Sequence, residues 1–178
     1  MKVIQVLGYS GSGKTTAITS LSKSLTKKGF KVGTLKHIHD HKFTIDQKTK
    51  DTRRYALTGS STIVAVSPSE LAVIQKKDTG RMKPREILRI FEETETDYLL
   101  IEGFNKMFAS SKGIARILCA STEKEALELL SLHPGPICIS GRIARASSPN
   151  SKMSGIPLMS FPKDTQKVLA LLDRKVRS

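Results

Sequence analysis

The apolar run Val3-Ile4-Gln5-Val6-Leu7 leads directly into Gly8-Tyr9-Ser10-Gly11-Ser12-Gly13-Lys14-Thr15, and a helical pattern from Thr16 to Lys28 follows at once. A strand, a glycine-rich turn and a helix in that order constrain this chain more than anything else in it. Gly8, Gly11 and Gly13 permit positive φ and close backbone approach, so successive N–H groups can turn inward on a phosphate chain. The helix behind them adds the positive end of its dipole. Lys14 reaches β- and γ-phosphates as a mobile point charge, and the Thr15 hydroxyl is placed to ligate Mg²⁺. This is a phosphate-binding loop (Walker A, P-loop) in its required context. The expected ligand is a nucleoside triphosphate, held by Ser10, Gly11, Ser12, Gly13, Lys14, Thr15 and Thr16. The motif leaves base and reaction open, because kinases, GTPases, ATPases and transport motors share it.

A length of 178 residues fits one domain with a real core, so a single nucleotide-binding domain over 1–178 is expected. No apolar stretch approaches the roughly 20 residues that span a bilayer. The chain runs straight into a strand without the pattern of a secretory signal, and a cytoplasmic protein is expected. Cys119 and Cys138 fall inside expected strands without metal-ligand or redox spacing, which reads as two buried free thiols. Lys and Arg number 30 against 16 acids, a net charge of +14. Such an excess calls for an anionic partner or simply a strongly charged surface. The basic residues are scattered, aromatics are few and no nucleic-acid motif is evident. Phosphorylated small molecules or an acidic protein therefore rank above DNA or RNA.

Strand-like runs at 2–7, 31–35, 62–67, 97–101, 114–120, 136–140 and 156–159 alternate with helix-like ones at 14–28, 52–59, 83–94, 122–131 and 163–174. That alternation predicts an α/β fold of the P-loop type, a mostly parallel sheet flanked by helices. Gly29 stops the first helix and Pro84 starts the third. Ser67-Pro68-Ser69 separates 62–67 from 71–76 closely enough for a hairpin, which would give the sheet an antiparallel edge. The stretch 147–152 and the segment 37–51 read as the most mobile.

In open α/β sheets ligands lie beyond the carboxyl ends of the strands. Three further segments satisfy that rule. The first runs from Lys36 to Thr52 and holds three of the four histidines, His37, His39 and His41, with Asp40, Asp46 and Asp51. If extended, the three imidazoles share a side, which suits a transition metal or a phosphate; a solvated polar loop is the alternative. The second, Asp97-Tyr98-Leu99-Leu100-Ile101-Glu102-Gly103-Phe104-Asn105, delivers an acid at a strand tip, where such a fold places the group that holds Mg²⁺ or orients a nucleophile. Glu102 is the first choice for that role. Asp97 lies at the opposite end of the strand and cannot share the ion. The third, Ile137 to Ala144, ends a strand in small residues and Arg142. No Asn-Lys-x-Asp sequence reads guanine, so the base stays open.

Taken together these motifs resemble those of the molybdopterin-guanine dinucleotide biosynthesis protein B family, MobB. The resemblance is carried by Gly8 to Thr16, by Lys36-His37-x-His39-x-x-x-Phe43-x-x-Asp46-x-x-x-Lys50-Asp51-Thr52 and by Leu99-Leu100-Ile101-Glu102-Gly103-Phe104, and spans most of residues 1–105. It implies a dimeric GTP-binding protein of molybdenum cofactor biosynthesis. Such a protein assists attachment of GMP to molybdopterin beside the nucleotidyltransferase that performs it, and hydrolyses GTP weakly. Under the resemblance Lys14 and Glu102 serve catalysis, Thr15 and Glu102 hold Mg²⁺, and Asp46 or Asp51 completes the metal shell through water. His37, His39 and Lys50 become candidates for the pterin phosphate or a second anion. One departure is Thr49, where the family usually carries glycine before Lys-Asp, so the loop 47–52 is expected to turn differently.

Two other classes use the same loop. A small-molecule or nucleotide kinase would transfer the γ-phosphoryl group under an arginine-bearing lid, which Arg142, Arg145 and the 142–153 loop could supply. A switch would change shape with GTP and turn over without use.

Overall fold

The computed structural model describes residues 1–40, 42–46 and 50–175. Along the chain run β1 Lys2–Gly8, α1 Lys14–Lys27, β2 Val32–Lys36, α2 Asp51–Leu57, β3 Thr62–Val66, β4 Leu71–Gln75, α3 Pro84–Glu92, β5 Tyr98–Glu102, β6 Ile114–Cys119, α4 Glu123–Leu132, β7 Cys138–Ser140, α5 Arg142–Ala146, β8 Lys152–Met153, β9 Ile156–Pro157 and α6 Thr165–Lys175. The chain packs as two compact units, one formed by Met1–His37 with Pro84–Ser178, the other by Ile38–Lys83.

The first unit is built on a five-stranded sheet in the order β2-β5-β1-β6-β7, with every neighbouring pair parallel. Parallel pairing follows from the long crossover between successive strands, which returns each one in the same direction. All five carboxyl ends therefore share one edge, and the phosphate loop leaves the central strand. Helices cover both faces, which is why the middle strands are apolar without interruption: Tyr98 to Ile101 are all buried. On one face Ile4, Val6, Leu100 and Cys119 pack against Ala17, Leu21 and Leu25 of α1 and Val168, Leu169 and Leu172 of α6. On the other, Leu7, Leu118 and Ile139 meet Ala126 and Leu129 of α4, and Leu99 and Ile101 meet Phe108 with Leu88 and Phe91 of α3.

Helix ends follow local chemistry. Gly29, at φ 86°, donates its N–H to the Thr26 carbonyl at 3.0 Å and ends α1, and Pro84 opens α3. At α4 the Thr122 hydroxyl accepts from the Glu125 N–H at 3.2 Å while Glu125 accepts from the Ser121 N–H at 2.7 Å, an exchange of the capping-box kind.

In the second unit β3 and β4 pair antiparallel, Val64 opposite Val73 and Val66 opposite Leu71, and α2 lies against β3. The hairpin was expected at an edge of the main sheet, but it forms a sheet of its own. Its alternation explains the difference, since only one face is covered: Ile63 is buried, whereas Val64, Val66, Leu71 and Val73 are 55–77% exposed.

Two more expectations are corrected. The strand at 156–159 shrinks to β9, which pairs with β8 outside the main sheet and touches it through one bridge, Ile139 to Leu158. The lid loop expected over 142–153 begins as helix α5. Among the described residues no helix is long and apolar enough to cross a membrane.

Candidate nucleotide site

The loop after β1 folds on its own backbone. Ser12, 1% exposed, donates through both its hydroxyl (2.8 Å) and its N–H (3.3 Å) to the Tyr9 carbonyl. Gly8 has to be glycine, because a Cβ there would collide with the Cys119 carbonyl and sit 2.7 Å from Ser12 Oγ. Gly13, at φ 101°, turns the chain into α1, and its carbonyl accepts the Ala17 N–H at 3.1 Å. Lys14 Nζ donates to the Tyr9 carbonyl at 2.6 Å, so the ammonium lies against the loop. Ser10 and Gly11 are exposed on the loop, and Thr16 is half-buried.

Beside the loop, the tips of β2 and β5 and the first turn of α1 bring three complementary groups together. Thr15 Oγ1 donates to Glu102 Oε2 at 3.2 Å, and Lys36 Nζ to Glu102 Oε1 at 3.0 Å. Parallel register accounts for this, since Val6 of β1 and Lys36 of β2 are both partnered with Glu102 of β5. The carboxylate side chain is 13% exposed, which strengthens its pairing relative to a fully solvated one. A hydroxyl and a carboxylate are hard oxygen ligands suited to Mg²⁺, which keeps several waters and takes its remaining ligands from substrate phosphates. Among the described residues no group of three His, Cys, Asp or Glu could hold a metal ion.

The turn after β5 is held from beneath. Gln5, fully buried, donates through Nε2 to the carbonyls of Gly103 (2.9 Å) and Phe104 (3.2 Å). Phe104 adopts φ 58°, a conformation that costs a side chain about 1 kcal/mol or more. Its ring stacks on His37 at 4.5 Å and meets the edge of Phe108 at 5.8 Å. The His37 N–H donates to the Glu102 carbonyl at 3.0 Å. Gln5 was missed as a site residue, although one polar side chain inside an apolar strand is a signal in itself. Lys36, at the tip of β2, takes its role from the tertiary contact with Glu102.

The structure thus gathers Lys14, Thr15, Glu102 and His37, with Lys36, at one end of the sheet. His39, Asp46, Lys50 and Asp51 belong to the second unit. There Asp46 is buried and accepts from Thr52 Oγ1 at 2.7 Å, with Oδ2 lacking a hydrogen-bond partner among the described residues. Asp51 sits in the first turn of α2 and pairs with Arg54 at 3.3 Å; Lys50 is the exposed residue before that helix. His41, the third imidazole of the expected array, and Thr49 lie outside the described residues. Asp97 accepts the Lys31 N–H at 2.7 Å at the far end of β5, away from Glu102 as expected. Both cysteines are free and buried, and burial pushes the Cys119 thiol up to about 12 and raises Cys138 as well.

On the other flank of the loop, Ser140, Gly141, Arg142 and Arg145 join Gly11 to Gly13 and Thr16 around a cleft of about 190 Å³. A larger cleft of about 330 Å³ lies at the opposite end of β5 from Glu102, walled by Leu25, Phe30, Tyr98, Leu169 and Leu172. It takes no part in the loop's chemistry, and its Lys2 and Asp173 are paired at 3.3 Å.

A parallel sheet wound with helices on both faces, with this loop after its central strand, defines a P-loop-type α/β protein. Residues 3–130 match the family model described as MobB, molybdopterin guanine dinucleotide synthesis protein B, and the chain belongs to that family. It is 33% identical over 107 residues to a molybdopterin-guanine dinucleotide biosynthesis adapter protein of Haemophilus influenzae, covering 58% of this chain and 57% of that one. A probable adapter protein of the same description from Bacillus subtilis is 32% identical over 106 residues, covering 58% and 59%. The matches span little more than half the length of these curated relatives. A crystal structure of Bacillus subtilis MobB superposes with a TM-score of 0.73 at 25% identity, over 96% of this chain and 98% of that one.

Proposed function

We propose that this chain binds GTP with Mg²⁺ at the loop of residues 8–15 and acts as an accessory, or adapter, in converting molybdopterin to its guanine dinucleotide form. The observation that carries the reading is the Thr15–Glu102 pair, a hydroxyl and a carboxylate 3.2 Å apart beside a phosphate loop. Backbone N–H groups of residues 10–15 and the Lys14 ammonium bind the triphosphate, and Lys36 holds the Glu102 carboxylate in orientation. Thr15 and Glu102 would hold a magnesium ion, which would supply neutralisation of the phosphate charge. Positioning and charge stabilisation account for most of phosphoryl chemistry, and weak intrinsic GTP hydrolysis belongs to the same reading.

The adapter role is supported by the description of the curated relatives as biosynthesis adapter proteins. Its partners are then a phosphorylated pterin, with His37 in the first unit or His39 and Lys50 in the second as candidate contacts, and the nucleotidyltransferase that attaches GMP. A homodimer is part of the proposal, supported by the uncovered apolar face of the β3–β4 hairpin. A cytoplasmic setting fits such a partner.

The test is calorimetric titration of GTP, ATP and molybdopterin into the wild-type chain and Lys14→Ala. Loss of one charge-assisted contact of about 1.5–3 kcal/mol predicts GTP affinity lowered roughly 10- to 150-fold. A strong ATP preference would remove guanine from the proposal, and unchanged binding by Lys14→Ala would remove the loop.

A further inference from the structure

Two arginines on the flank of the phosphate loop opposite Glu102 have no assigned task. We infer that Arg142 and Arg145 grip the nucleoside end of the bound nucleotide, its α-phosphate and ribose; the inference rests on nucleotide binding by the loop. The sheet order sets the direction. β1, which carries the loop, lies between β5 and β6, with β7 beyond β6. Thr15, Glu102 and Lys36 occupy the β5 and β2 side, where the proposed function places the β- and γ-phosphates. A linear triphosphate anchored there runs across the loop toward the β7 side, and what reaches that side is its sugar-bearing end.

The cleft that receives it is rich in donors. Gly11, Ser12, Gly13 and Thr16 of the loop and first helix line it with Ser140, Gly141 and the two arginines, Phe161 is its one large apolar side chain, and among the described residues no Asp or Glu lines it. Arg142 and Arg145 are three residues apart, so they project from neighbouring positions on one face of α5, where like charges repel unless an anion lies between them. Other arginines of this chain find acids, as in Arg54 with Asp51, Arg81 with Asp78 and Arg89 with Glu93. Neither Arg142 nor Arg145 has a side-chain partner among the described residues. Guanidinium forks match phosphate oxygens two at a time.

The grip is built onto the loop and does not swing over it. A Cβ at Gly141 would collide with the Ala120 carbonyl and lie 2.5 Å from the Ser12 carbonyl, so the start of α5 is seated on the loop's own backbone. Ser140 is 2% exposed and accepts the Ala120 N–H at 2.9 Å, while the Ile143 N–H donates to the Ala120 carbonyl at 3.3 Å. The volume, about 190 Å³, is below the roughly 300 Å³ of a pocket that encloses a whole small molecule. A phosphate with its ribose fits, and the base projects beyond.

Titration of GTP and GDP into wild type, Arg142→Gln, Arg145→Gln and the double variant tests the assignment, with Lys14→Ala alongside and apo unfolding followed by circular dichroism. Contacts to the α-phosphate and ribose are common to both nucleotides. The double variant should therefore lose GTP and GDP affinity by the same factor, about 10- to 100-fold, with its apo unfolding midpoint unchanged. Undiminished GDP binding, or a loss confined to GTP or to turnover, overturns the inference, because the arginines would then serve the γ-phosphate as a lid. If Lys14→Ala loses binding and the arginine variants do not, only this inference falls. If the wild type binds neither nucleotide, the loop reading falls and takes this one with it.

Discussion

Thr15 and Glu102, 87 positions apart in the chain, meet at 3.2 Å because the strands that end beside them are parallel neighbours in register. Lys36 occupies the second carboxylate oxygen at 3.0 Å. The carboxylate is thereby fixed in orientation beside the phosphate loop, both of its oxygens engaged by side chains of the same chain.

Glu102→Gln keeps the shape and removes the charge. GTP affinity measured with Mg²⁺ should drop about 10- to 100-fold, while affinity measured in EDTA stays at the wild-type value. A variant that retains the full Mg²⁺ effect would show that Glu102 does not serve the ion.

Gly8→Ala and Gly29→Ala separate crowding from backbone conformation. Both glycines have positive φ, 148° and 86°, but a Cβ at Gly29 meets nothing within 4 Å, while one at Gly8 strikes Cys119 and Ser12. In urea unfolding Gly29→Ala should cost about 1–2 kcal/mol. Gly8→Ala should cost more, with an overpacking penalty of about 1–3 kcal/mol added. Equal losses would contradict the close approach of β1 to β6.

Acid stability should carry a contribution from Asp164. The Ser160 N–H donates to its carboxylate at 2.9 Å and Lys167 pairs with it at 3.1 Å, which together hold the group below the usual carboxylate range despite partial burial. A depressed folded-state value stabilises above the unfolded value near 3.9, and the contribution disappears as pH falls through the folded value. Asp164→Asn should therefore be less stable than wild type by about 1 kcal/mol at pH 7, with the gap closing as pH falls below the unfolded value and through the depressed folded one. A gap that persists at low pH would point to packing instead of charge.

The hairpin face makes a prediction about assembly. Val64, Val66, Leu71 and Val73 line one exposed side of a two-stranded sheet, a structure that is marginal without a covering partner. Val66→Lys with Val73→Lys should convert a dimer to a monomer in sedimentation velocity. A dimer that survives both substitutions has its interface elsewhere.

Much of this was legible along the chain because it depends on near neighbours. The glycines from 8 to 13, the stop at Gly29, the start at Pro84 and the alternation through 62–66 are matters of φ and periodicity within a few residues. Glu102 could be singled out by a rule of topology, that α/β sites gather beyond strand ends. Gln5 could not be assigned to the turn it supports, since its partner Gly103 lies 98 residues away. The same limit applies to Arg142 and Arg145: their segment reads as a loop, and only the packing of Gly141 on Ser12 brings them to the phosphate loop.

By itself, then, the amino-acid order determined that a strand, a phosphate loop and a helix begin this protein, that helices and strands alternate behind them, and that an acid stands at a strand tip. The tertiary structure decided the strand order β2-β5-β1-β6-β7, the hairpin's separation into its own sheet, and which side chains share the loop's two flanks. Local propensities are written in adjacent residues. Strand neighbours, by contrast, are chosen by burial of two apolar faces at once, a condition on the whole chain that no short window contains.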